Sequence, residues 1–416
     1  MKLSRNALAI ALATALPCLP VHAQSAAELQ KEIEQLRAQL RVLSEKIESL
    51  SARPAGVDTQ EFNRVVQKME LAEDEADKAG LKGLKFKGTM EVTYFNDQLS
   101  PATGFDKARG NGGYGAAMLE ISKEPEEGVG WTLRLMPLGA TLVHEATVSV
   151  ALGKGGTKLN AGLTPDYSGY EYSMGNLNPL ISNNLLYTHS AASNYAGVGM
   201  SYDLGSGWTG KWMFGQIDGA INRKAPGFAY RFDYSMGEYS GIGFSGVHFR
   251  TNDQSVGGNA DLIEVDAYRT RGDLTLQGQV SMGRLLAGAK DASGADARWW
   301  GLSGLVGYKL TPRLQALARF DYIDNRANGG GIYFDPGLNG SSVFGPELDD
   351  AGAVVDPTVG ANRYALTAGF NYAVNANTQW KTELRFDRST GYNFLDSTGA
   401  YKQMNTTLGT ALVVSF

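Results

Sequence analysis

The sixteen residues Tyr401–Phe416, YKQMNTTLGTALVVSF, decide the fold class of this chain. Counting back from Phe416, every second residue as far as Leu408 is apolar or a threonine. The residues between them are small or polar, with Val413 as the exception. Because side chains alternate across a β-strand, the stretch has one apolar face and one small, polar face. A strand of this kind that ends in an aromatic residue is typical of a membrane β-barrel.

The first residues of the chain predict export from the cytoplasm. A short positive region and an apolar run precede a small-residue cleavage site that ends at Ala23. We therefore interpret residues 1–23 as a secretory signal peptide, too short to span a membrane as a helix. Cys18 suggests a lipoprotein anchor as an alternative, but Pro17 fits that motif poorly. Since this is the single cysteine of the chain, cleavage leaves a mature protein without disulfides.

The charge balance argues against a nucleic-acid partner. The chain holds 38 Lys and Arg residues and 43 Asp and Glu residues, a formal net charge of −5. Loss of Lys2 and Arg5 with the signal peptide leaves 36 against 43, a net charge of −7. No basic field therefore surrounds the mature protein. The 52 glycines and 19 tyrosines suit tight turns and the aromatic belts of barrels at membrane interfaces.

A heptad pattern follows the signal peptide. Apolar residues recur at alternating spacings of four and three with polar residues between them, which is the a/d pattern of a coiled coil. We predict a periplasmic coiled coil over residues 24–52 and a helical linker over residues 53–83. An amphipathic helix that lies against its own domain is the alternative. The seven heptad positions are Leu29, Ile33, Leu36, Leu40, Leu43, Ile47 and Leu50.

From Leu84 onward the period of the pattern changes to two, which indicates strands. Alternating segments recur about sixteen times over residues 84–416, or ~21 residues for each strand with its connection. Short connections such as 153–156 alternate with long ones such as 164–192, as in outer-membrane barrels. The predicted fold class is all-β: a transmembrane antiparallel β-barrel of about 16 strands, preceded by a short N-terminal α-helical coiled coil.

The face opposite the apolar residues carries charges of both signs. An Arg or Lys that faces lipid at mid-depth costs about 2–4 kcal/mol, so this placement predicts a water-filled interior. The alternation puts Val247 and Phe249 on the outward face and His248 on the inward face. Basic and acidic residues nearly balance, which leaves anion or cation preference open, and close pairs such as Arg231 and Asp233 are alternatively neutralised salt bridges. The predicted lumen charges are Lys85, Lys87, Glu91, Glu120, Arg134, Lys158, Lys211, Arg231, Asp233, Arg250, Glu264, Asp266, Arg319, Asp321, Arg363, Lys381, Glu383 and Arg385.

A signal peptide, a heptad helix and a barrel that ends in Phe together resemble the general porin class. The coiled-coil variant resembles the phosphate-selective porin O/P family and the OmpL-like porin family. The segment 161–204, with Gly169-Tyr170-Glu171 and Thr188-His189, is similar to OmpL-like porins. The resemblance implies a homotrimer in the outer membrane of a Gram-negative bacterium, in contact with its lipids. It also implies that the outer-membrane assembly machinery recognises the closing strand through Phe416.

The resemblance assigns a role to the loop over residues 164–192. In trimeric porins the third extracellular loop folds into the barrel and narrows the channel. The alternative is a surface loop without contact to the pore. This loop contains no Lys or Arg, which argues against the basic cluster that a phosphate-selective pore requires. The constriction residues implied by the resemblance are Asp166, Tyr170, Glu171, Tyr172, Asn176 and His189.

An enzymatic barrel is the main rival, and the histidines test it. Hydrolases of this kind need a histidine beside a nucleophile. After loss of the signal peptide the chain has His144, predicted to face outward, His189 and His248, none with a partner at recognisable spacing. No zinc motif is present, so the sequence predicts no metal, no cofactor and no enzymatic activity.

The predicted function is an outer-membrane porin with a water-filled channel for passive diffusion of small hydrophilic solutes or ions. The alternative is a barrel-anchored structural or enzymatic protein, either an envelope tether or a phospholipase- or protease-like barrel. Sixteen strands exceed what a tether needs as an anchor, which favours the channel.

Overall fold

The structure, a computed structural model, describes residues 83–99, 104–105, 117–124, 128–137, 142–153, 155–172, 177–192, 194–217, 226–250, 259–288, 294–327 and 345–416. The predicted signal peptide, coiled coil and nearly all of the linker lie outside the described residues. Among the described residues, no helix is long and apolar enough to cross a membrane.

The described part of the chain is almost entirely β-structure, with one short helix. The strands are β1 Leu84–Asp97, β2 Gly104–Phe105, β3 Ala117–Lys123, β4 Val129–Leu135, β5 Val143–Ala151, β6 Lys158–Thr164, β7 Tyr195–Gly205, β8 Trp208–Ile217, β9 Gly227–Ser235, β10 Ser240–Arg250, β11 Asn259–Arg271, β12 Leu274–Leu285, β13 Ala297–Thr311, β14 Leu314–Ala327, β15 Pro346–Leu348, β16 Val354–Gly360, β17 Arg363–Asn375, β18 Thr378–Ser389, β19 Phe394–Leu395, β20 Tyr401–Lys402 and β21 Met404–Ser415. The helix α1 is Leu185–Ser190.

Sixteen of these strands form a closed antiparallel barrel, which confirms the predicted fold class. Successive strands pair from β1 through β3–β14, β17 and β18 to β21, and β21 pairs back onto β1. Val92 lies opposite Leu412 at the closure, and Gly88 and Phe416 exchange two main-chain hydrogen bonds of 2.9 Å. The Phe416 ring lies over Gly88, where a Cβ would be 2.0 Å from the ring, so a larger residue at this position would displace the ring. The terminal aromatic residue therefore completes the closing seam.

The connections differ sharply between the two ends of the barrel. At the end that holds Leu84 and Ser415, strands are joined by tight turns such as residues 206–207, 272–273 and 376–377. At the other end the connections are longer, and two of them contain the small hairpins β15–β16 and β19–β20. The division into short turns and long loops agrees with the sequence pattern.

The two faces of the wall follow the alternation seen in the sequence. On β21 the outward side chains of Leu408 and Leu412 are exposed, and Ala411 and Val413 are buried on the inside. Ala411 packs with Phe95 of β1 and Ile181. Ala411 thus has packing partners within the barrel, and Val413 is buried on the same inner face.

Strand β10 corrects the predicted register. Val247 and Phe249 are 0% and 5% exposed and lie on the inner face, whereas Ile242 and Phe244 are exposed on the outer face. His248 and Arg250 therefore face outward, so the predictions that His248 faces inward and that Arg250 is a lumen charge are wrong. The prediction failed because it assigned apolar side chains to lipid, and here they pack against a loop inside the barrel.

His144 also departs from its prediction. It was expected on the outer face, but it is 4% exposed and lies at a register shift between β4 and β5, where Arg134 pairs with Glu145 and Leu135 with Val143. A β-bulge inserts an extra residue and re-aims the neighbouring side chains. The sequence pattern alone does not reveal that insertion.

Candidate functional site

The connection between β6 and β7, residues 165–194, lies inside the barrel and is called the inner loop below. Residues 173–176 and 193 of this loop, Asn176 among them, lie outside the described residues. The inner loop makes hydrogen bonds to inward-facing side chains of β9, β13, β14, β17 and β18. It therefore crosses the interior from the β6–β7 side to the β17–β18 wall, rather than lying on the outer surface.

The first part of the inner loop is held by an arginine of β9. Arg231 donates from Nη1 to the carbonyl oxygens of Tyr167 at 3.0 Å and Gly169 at 3.3 Å. Its two terminal nitrogens also bind Asp266 of β11 at 2.7 and 2.9 Å. The ammonium group of Lys211 lies 4.2 Å from the centre of the Tyr167 ring. Arg231 and Lys211 of the barrel wall thus supply the positive charges that hold the inner loop, which itself contains no Lys or Arg.

Asp166 is a half-buried residue of this part of the loop, and its carboxyl group is surrounded by protein. Its carboxyl group accepts hydrogen bonds from the hydroxyls of Tyr195 and Ser168 and from the Ser168 amide at 3.0 Å. Burial disfavours the charged form and raises the pKa of Asp166 to about 6, although the hydrogen bonds oppose the shift. The charge of this loop residue therefore changes within an experimentally accessible pH range.

Arg319 of β14 forms the central anchor of the loop. Its side chain is 0% exposed and lies between two carboxylates, Glu171 of the loop at 2.9 Å and Asp321 of the wall at 3.0 Å. It also donates to the carbonyl oxygens of Ser182 at 2.8 Å and Asn183 at 2.9 Å. A buried cation with this many acceptors fixes the position of two separate parts of the loop.

Two further contacts surround the central anchor. The Glu171 carboxylate also accepts from the Asn184 amide at 2.7 Å and from Asn183 Nδ2 at 3.0 Å. The Tyr170 hydroxyl lies 2.7 Å from Ser303 Oγ of β13, which in turn donates to Asp321 at 2.7 Å. Tyr170 and Glu171 are thus directed at the wall, where they hold the loop in place.

The far end of the loop is attached to β18. The Glu383 carboxylate accepts from the main-chain amides of Ile181 at 2.8 Å and Ser182 at 3.0 Å. Lys381 Nζ donates to the Asn178 carbonyl oxygen at 2.5 Å, and Arg385 donates to the Asn183 carbonyl oxygen at 2.5 Å. Three charged side chains of one strand therefore satisfy the main chain of the loop, which would otherwise be buried without partners.

Helix α1 gives the loop an apolar anchor as well. Asn184 caps the helix by accepting from the Tyr187 amide at 2.6 Å. Leu185 and Leu186 are 2% and 0% exposed and belong to an apolar cluster with inward residues near the long-loop ends of the strands. The strand members include Val247, Phe249, Leu262, Leu285, Trp299 and Ile323.

The opposite wall carries a second set of charges. Arg134 lies between Glu120 and Glu145, with nitrogen–oxygen distances of 2.6 Å to each. Lys87, 63% exposed, pairs with Glu120 at 3.4 Å, and Lys85 is 56% exposed. Among the described residues, the hydrogen bonds given above connect the inner loop to β9, β13, β14, β17 and β18. The exposed side chains of Lys85 and Lys87 therefore face the remaining lumen near the short-turn end, whereas Phe95, at the other end of β1, packs with Ile181 of the inner loop.

Most of the predicted site residues fall where the sequence placed them, but they divide into two groups. Of the eighteen predicted lumen charges, all except Arg250 lie on the inward face of their strands. Arg231, Arg319, Lys381, Glu383 and Arg385 hold the inner loop, so they are anchors rather than free charges. Of the predicted loop residues, Glu171 and His189 are buried, Asp166 and Tyr170 are half-buried, and Tyr172 is 56% exposed.

Two features of the site were not predicted from the sequence. One is the set of main-chain carbonyl oxygens of Asn178, Ser182 and Asn183, which accept hydrogen bonds from the wall, and the other is the apolar contact that anchors the loop through Leu186 and Trp299. A signal for the apolar anchor was present: large apolar residues occupy inward positions at one end of several strands, where a water-filled lumen should carry polar ones. The main-chain contacts have no signal in the sequence, since any residue type supplies a carbonyl oxygen.

A sixteen-strand antiparallel barrel crossed by one long inward-folded loop is the architecture of the porin class of outer-membrane proteins. The family described as "Putative beta-barrel porin-2, OmpL-like" matches residues 84–416. The chain belongs to this family, which confirms the resemblance seen in the sequence. A comparison with curated protein sequences finds no match.

Three solved structures are similar to this chain. The anion-selective porin from Comamonas acidovorans is 12% identical with a TM-score of 0.54, covering 80% of this chain and 99% of that one. The outer membrane channel DcaP of Acinetobacter baumannii is 11% identical with a TM-score of 0.53, covering 80% and 97%. The trimer form of OmpT from Vibrio cholerae is 13% identical with a TM-score of 0.50, covering 80% and 99%. At such identities the likeness concerns the fold alone.

Proposed function

We propose that this protein is an outer-membrane porin whose water-filled channel passes small hydrophilic solutes or ions by passive diffusion, without catalysing a reaction. The observation that carries the proposal is the inner loop, which crosses the interior and is held there by buried charges of the wall. A loop fixed in this way narrows a channel without sealing it, provided that one sector of the wall stays clear. We place that sector at β3, β4 and the short-turn end of β1, where Lys85 and Lys87 are exposed.

The constriction then lies between the inner loop and the wall of β1, β3, β4 and β5. Tyr172 is the exposed member of the predicted constriction set, and the wall opposite carries the cluster of Glu120, Arg134 and Glu145. Charged groups and pore diameter together determine which solutes pass such a site. Asp166, Tyr170, Glu171 and His189 act indirectly, by fixing the path of the loop.

The ion preference of the channel follows from charges that remain accessible. Arg319 and Arg385 are neutralised by carboxylates and loop carbonyls, so they contribute little to the field in the lumen. Lys85 and Lys87 pair with Glu124 and Glu120 at 3.4 Å, but both lysine side chains remain more than half exposed on the inner face near the short-turn end. These lysines favour entry of anions from that end, and their effect should weaken as salt is added.

The proposed assembly is a homotrimer, supported by two features of the chain. The heptads over residues 29–50 provide an apolar seam for identical partners. Strands β4 and β6 have seven residues each, against eleven to fifteen for β10–β14. Seven residues tilted by ~40° span ~18 Å, less than an apolar band of ~25 Å. A neighbouring copy would cover this low sector of wall.

The proposed orientation places the short turns and the N-terminal coiled coil in the periplasm and the long loops outside the cell. Outer-membrane lipids surround the apolar face of the barrel, and the assembly machinery recognises the closing strand through Phe416. The exposed outer side chains of Leu408, Leu412 and Phe416 support this arrangement, since they continue an apolar surface along that strand.

Liposome swelling tests the proposed channel. The mature protein would be folded, checked for a heat-modifiable band on a gel, and inserted into vesicles that contain an impermeant polymer. Transfer into sugar solutions should cause swelling that is fast for a monosaccharide and slower for each larger oligosaccharide. Vesicles that contain folded, inserted protein and swell no faster than empty vesicles, whatever the sugar, would exclude passive diffusion through this barrel.

A further inference from the structure

Side chains that carry oxygen atoms meet where the first part of the inner loop lies against β10, β11 and β12. Glu264 of β11 is 1% exposed, and its register partners Ser245 of β10 and Ser281 of β12 are 0% exposed. Asp166 of the loop lies close enough for its charge to act on Glu264. Ser168 donates a hydrogen bond to Asp166 and also lies beside the Glu264 carboxyl group. These five residues, from both the loop and the wall, are called the oxygen cluster below.

Hydrogen bonds within the oxygen cluster leave two atoms of the wall without a partner. Glu264 Oε1 accepts from the Ser281 hydroxyl and from Gln279 Nε2, the latter at 2.8 Å. Glu264 Oε2 and Ser245 Oγ are buried and form no hydrogen bond with any residue that the structure describes. Nearly all buried polar atoms in proteins have a partner. Since these two atoms belong to register partners on neighbouring strands, one bound group would satisfy both.

A proton on Glu264 does not supply the missing partner. Glu264 Oε1 already accepts two hydrogen bonds, so the proton would reside on Oε2 and make that atom a donor. Oε2 would then need an acceptor, and none lies within hydrogen-bonding distance among the described residues. The atom therefore stays unpaired in either protonation state, and an unpaired buried polar atom is costly.

The balance of charge favours a cation as the bound group. Glu264 forms no ion pair with a described residue, because its hydrogen-bond donors are neutral. Nearby Glu145 is neutralised, since it pairs with Arg134 at 2.6 Å. Glu120, the other partner of Arg134, also pairs with Lys87 at 3.4 Å. The remaining groups are four carboxylates around two cations, a net charge of −2 when all are ionised: Asp166, Asp233, Glu264 and Asp266 with Lys211 and Arg231.

The ligands that the oxygen cluster offers suit a hard cation such as calcium. Calcium takes about six to eight oxygen ligands at ~2.3–2.6 Å, so two of its ligands lie ~4 Å apart without bonding each other. That separation is compatible with the Cβ atoms of register partners, which lie ~5 Å apart. Among the described residues, no three His, Cys, Asp or Glu side chains are placed to hold a metal ion, so hydroxyl oxygens and water would complete the coordination.

We propose that the oxygen cluster binds a calcium ion, held by the carboxylates of Glu264 and Asp166 and the hydroxyl oxygens of Ser245 and Ser168. The ion joins the first part of the inner loop to β10 and β11. It supplements Arg231, which holds the same part of the loop from β9. Because the site lies between the loop and the wall, calcium binding does not depend on transport through the channel.

Calcium titration of the purified full-length mature protein in detergent tests the site, by calorimetry after a chelator has removed bound ions. The wild type should bind a calcium ion that Glu264→Gln binds at least about tenfold more weakly. Glutamine keeps an oxygen that accepts from Ser281 and Gln279, so this substitution removes the charge and preserves those hydrogen bonds. Ser245→Ala removes one ligand and should also weaken binding. Asp233→Asn is the matched control, because this 41% exposed carboxylate belongs to the same group of charges but not to the oxygen cluster.

Thermal melting separates ion binding from a purely structural role of Glu264. Calcium should raise the melting temperature of the wild type and leave that of Glu264→Gln nearly unchanged, since a ligand stabilises the state that binds it. With a chelator present, Glu264→Gln and Asp166→Asn should melt no lower than the wild type, because each removes repulsion between two carboxylates.

Equal calcium binding by the wild type and Glu264→Gln would overturn the proposal, as would the absence of binding by the folded wild type. Magnesium that binds as tightly as calcium would overturn the assignment to calcium. A heat-modifiable band confirms that each variant is folded.

Discussion

Replacement of Arg319 by Met should release the inner loop from the barrel wall. The Arg319 side chain and its partners Glu171 and Asp321 are 0%, 1% and 0% exposed, so water does not compensate for the lost cation. Removal of one partner of a buried ion pair costs about 3–5 kcal/mol, because it leaves an uncompensated buried charge. Since ~1.4 kcal/mol corresponds to a factor of ten, the equilibrium between the seated loop and released states would shift by a factor of ~10²–10⁴ toward the released states.

The assay for this release is single-channel recording of Arg319→Met in a planar bilayer. We expect a larger mean conductance and frequent transitions between levels, because a released loop moves in the lumen. Arg134→Met is the matched control: Arg134 is 17% exposed and also lies between two carboxylates, but it does not hold the loop. It should change ion preference without added transitions. Steady, wild-type conductance in folded Arg319→Met would refute the reasoning that this cluster holds the loop.

Three further predictions follow from the same contacts. The double variant Lys85→Glu/Lys87→Glu should shift the reversal potential in a salt gradient toward cation preference, because both lysines are exposed on the inner face. Arg388→Glu, which changes an outward-facing residue, should leave the reversal potential unchanged. An unshifted reversal potential in the lysine variant would contradict the proposed passage of ions past these lysines. Gly301→Ala should lower stability by about 1–3 kcal/mol, since its Cβ would lie 2.4 Å from Leu186 Cδ2 of α1 and 2.6 Å from the Tyr322 carbonyl oxygen of β14. Gly304→Ala has nothing within 4 Å of its Cβ and should be neutral, and equal melting temperatures of the two variants would contradict the close approach of α1 and β14 to Gly301. Burial raises the pKa of Asp166 from 3.8 to about 6, so ionisation of this carboxyl group lowers stability as pH rises through that range and has no cost below it. The melting temperature of Asp166→Asn should therefore rise relative to that of the wild type between pH 4 and 7.5. A difference in melting temperature that does not change with pH would contradict this prediction.

The barrel was predictable because its physics is local. Alternation of side chains across a strand, tight turns at one end and a terminal aromatic strand all appear in the order of residues, as Leu408, Leu412 and Phe416 illustrate. A closed barrel needs no further information than which residues alternate. The strand number and the faces of most charged residues could therefore be predicted from the sequence.

The interior was less predictable because a loop from one place in the chain packs against strands more than a hundred residues away. Val247 and Phe249 look like lipid-facing residues until the inner loop is placed beside them. Glu383 looks like a free lumen charge until it accepts from the amides of Ile181 and Ser182. Such contacts depend on long-range geometry, which a pattern of alternation does not contain.

The most direct test of the account is the conductance of the purified mature protein in a planar bilayer, with the reversal potential measured under a salt gradient. We expect conductance steps that occur in groups of three and a steady, nonzero reversal potential. Folded, heat-modifiable protein that gives no conductance would contradict the central claim that this barrel is an open channel.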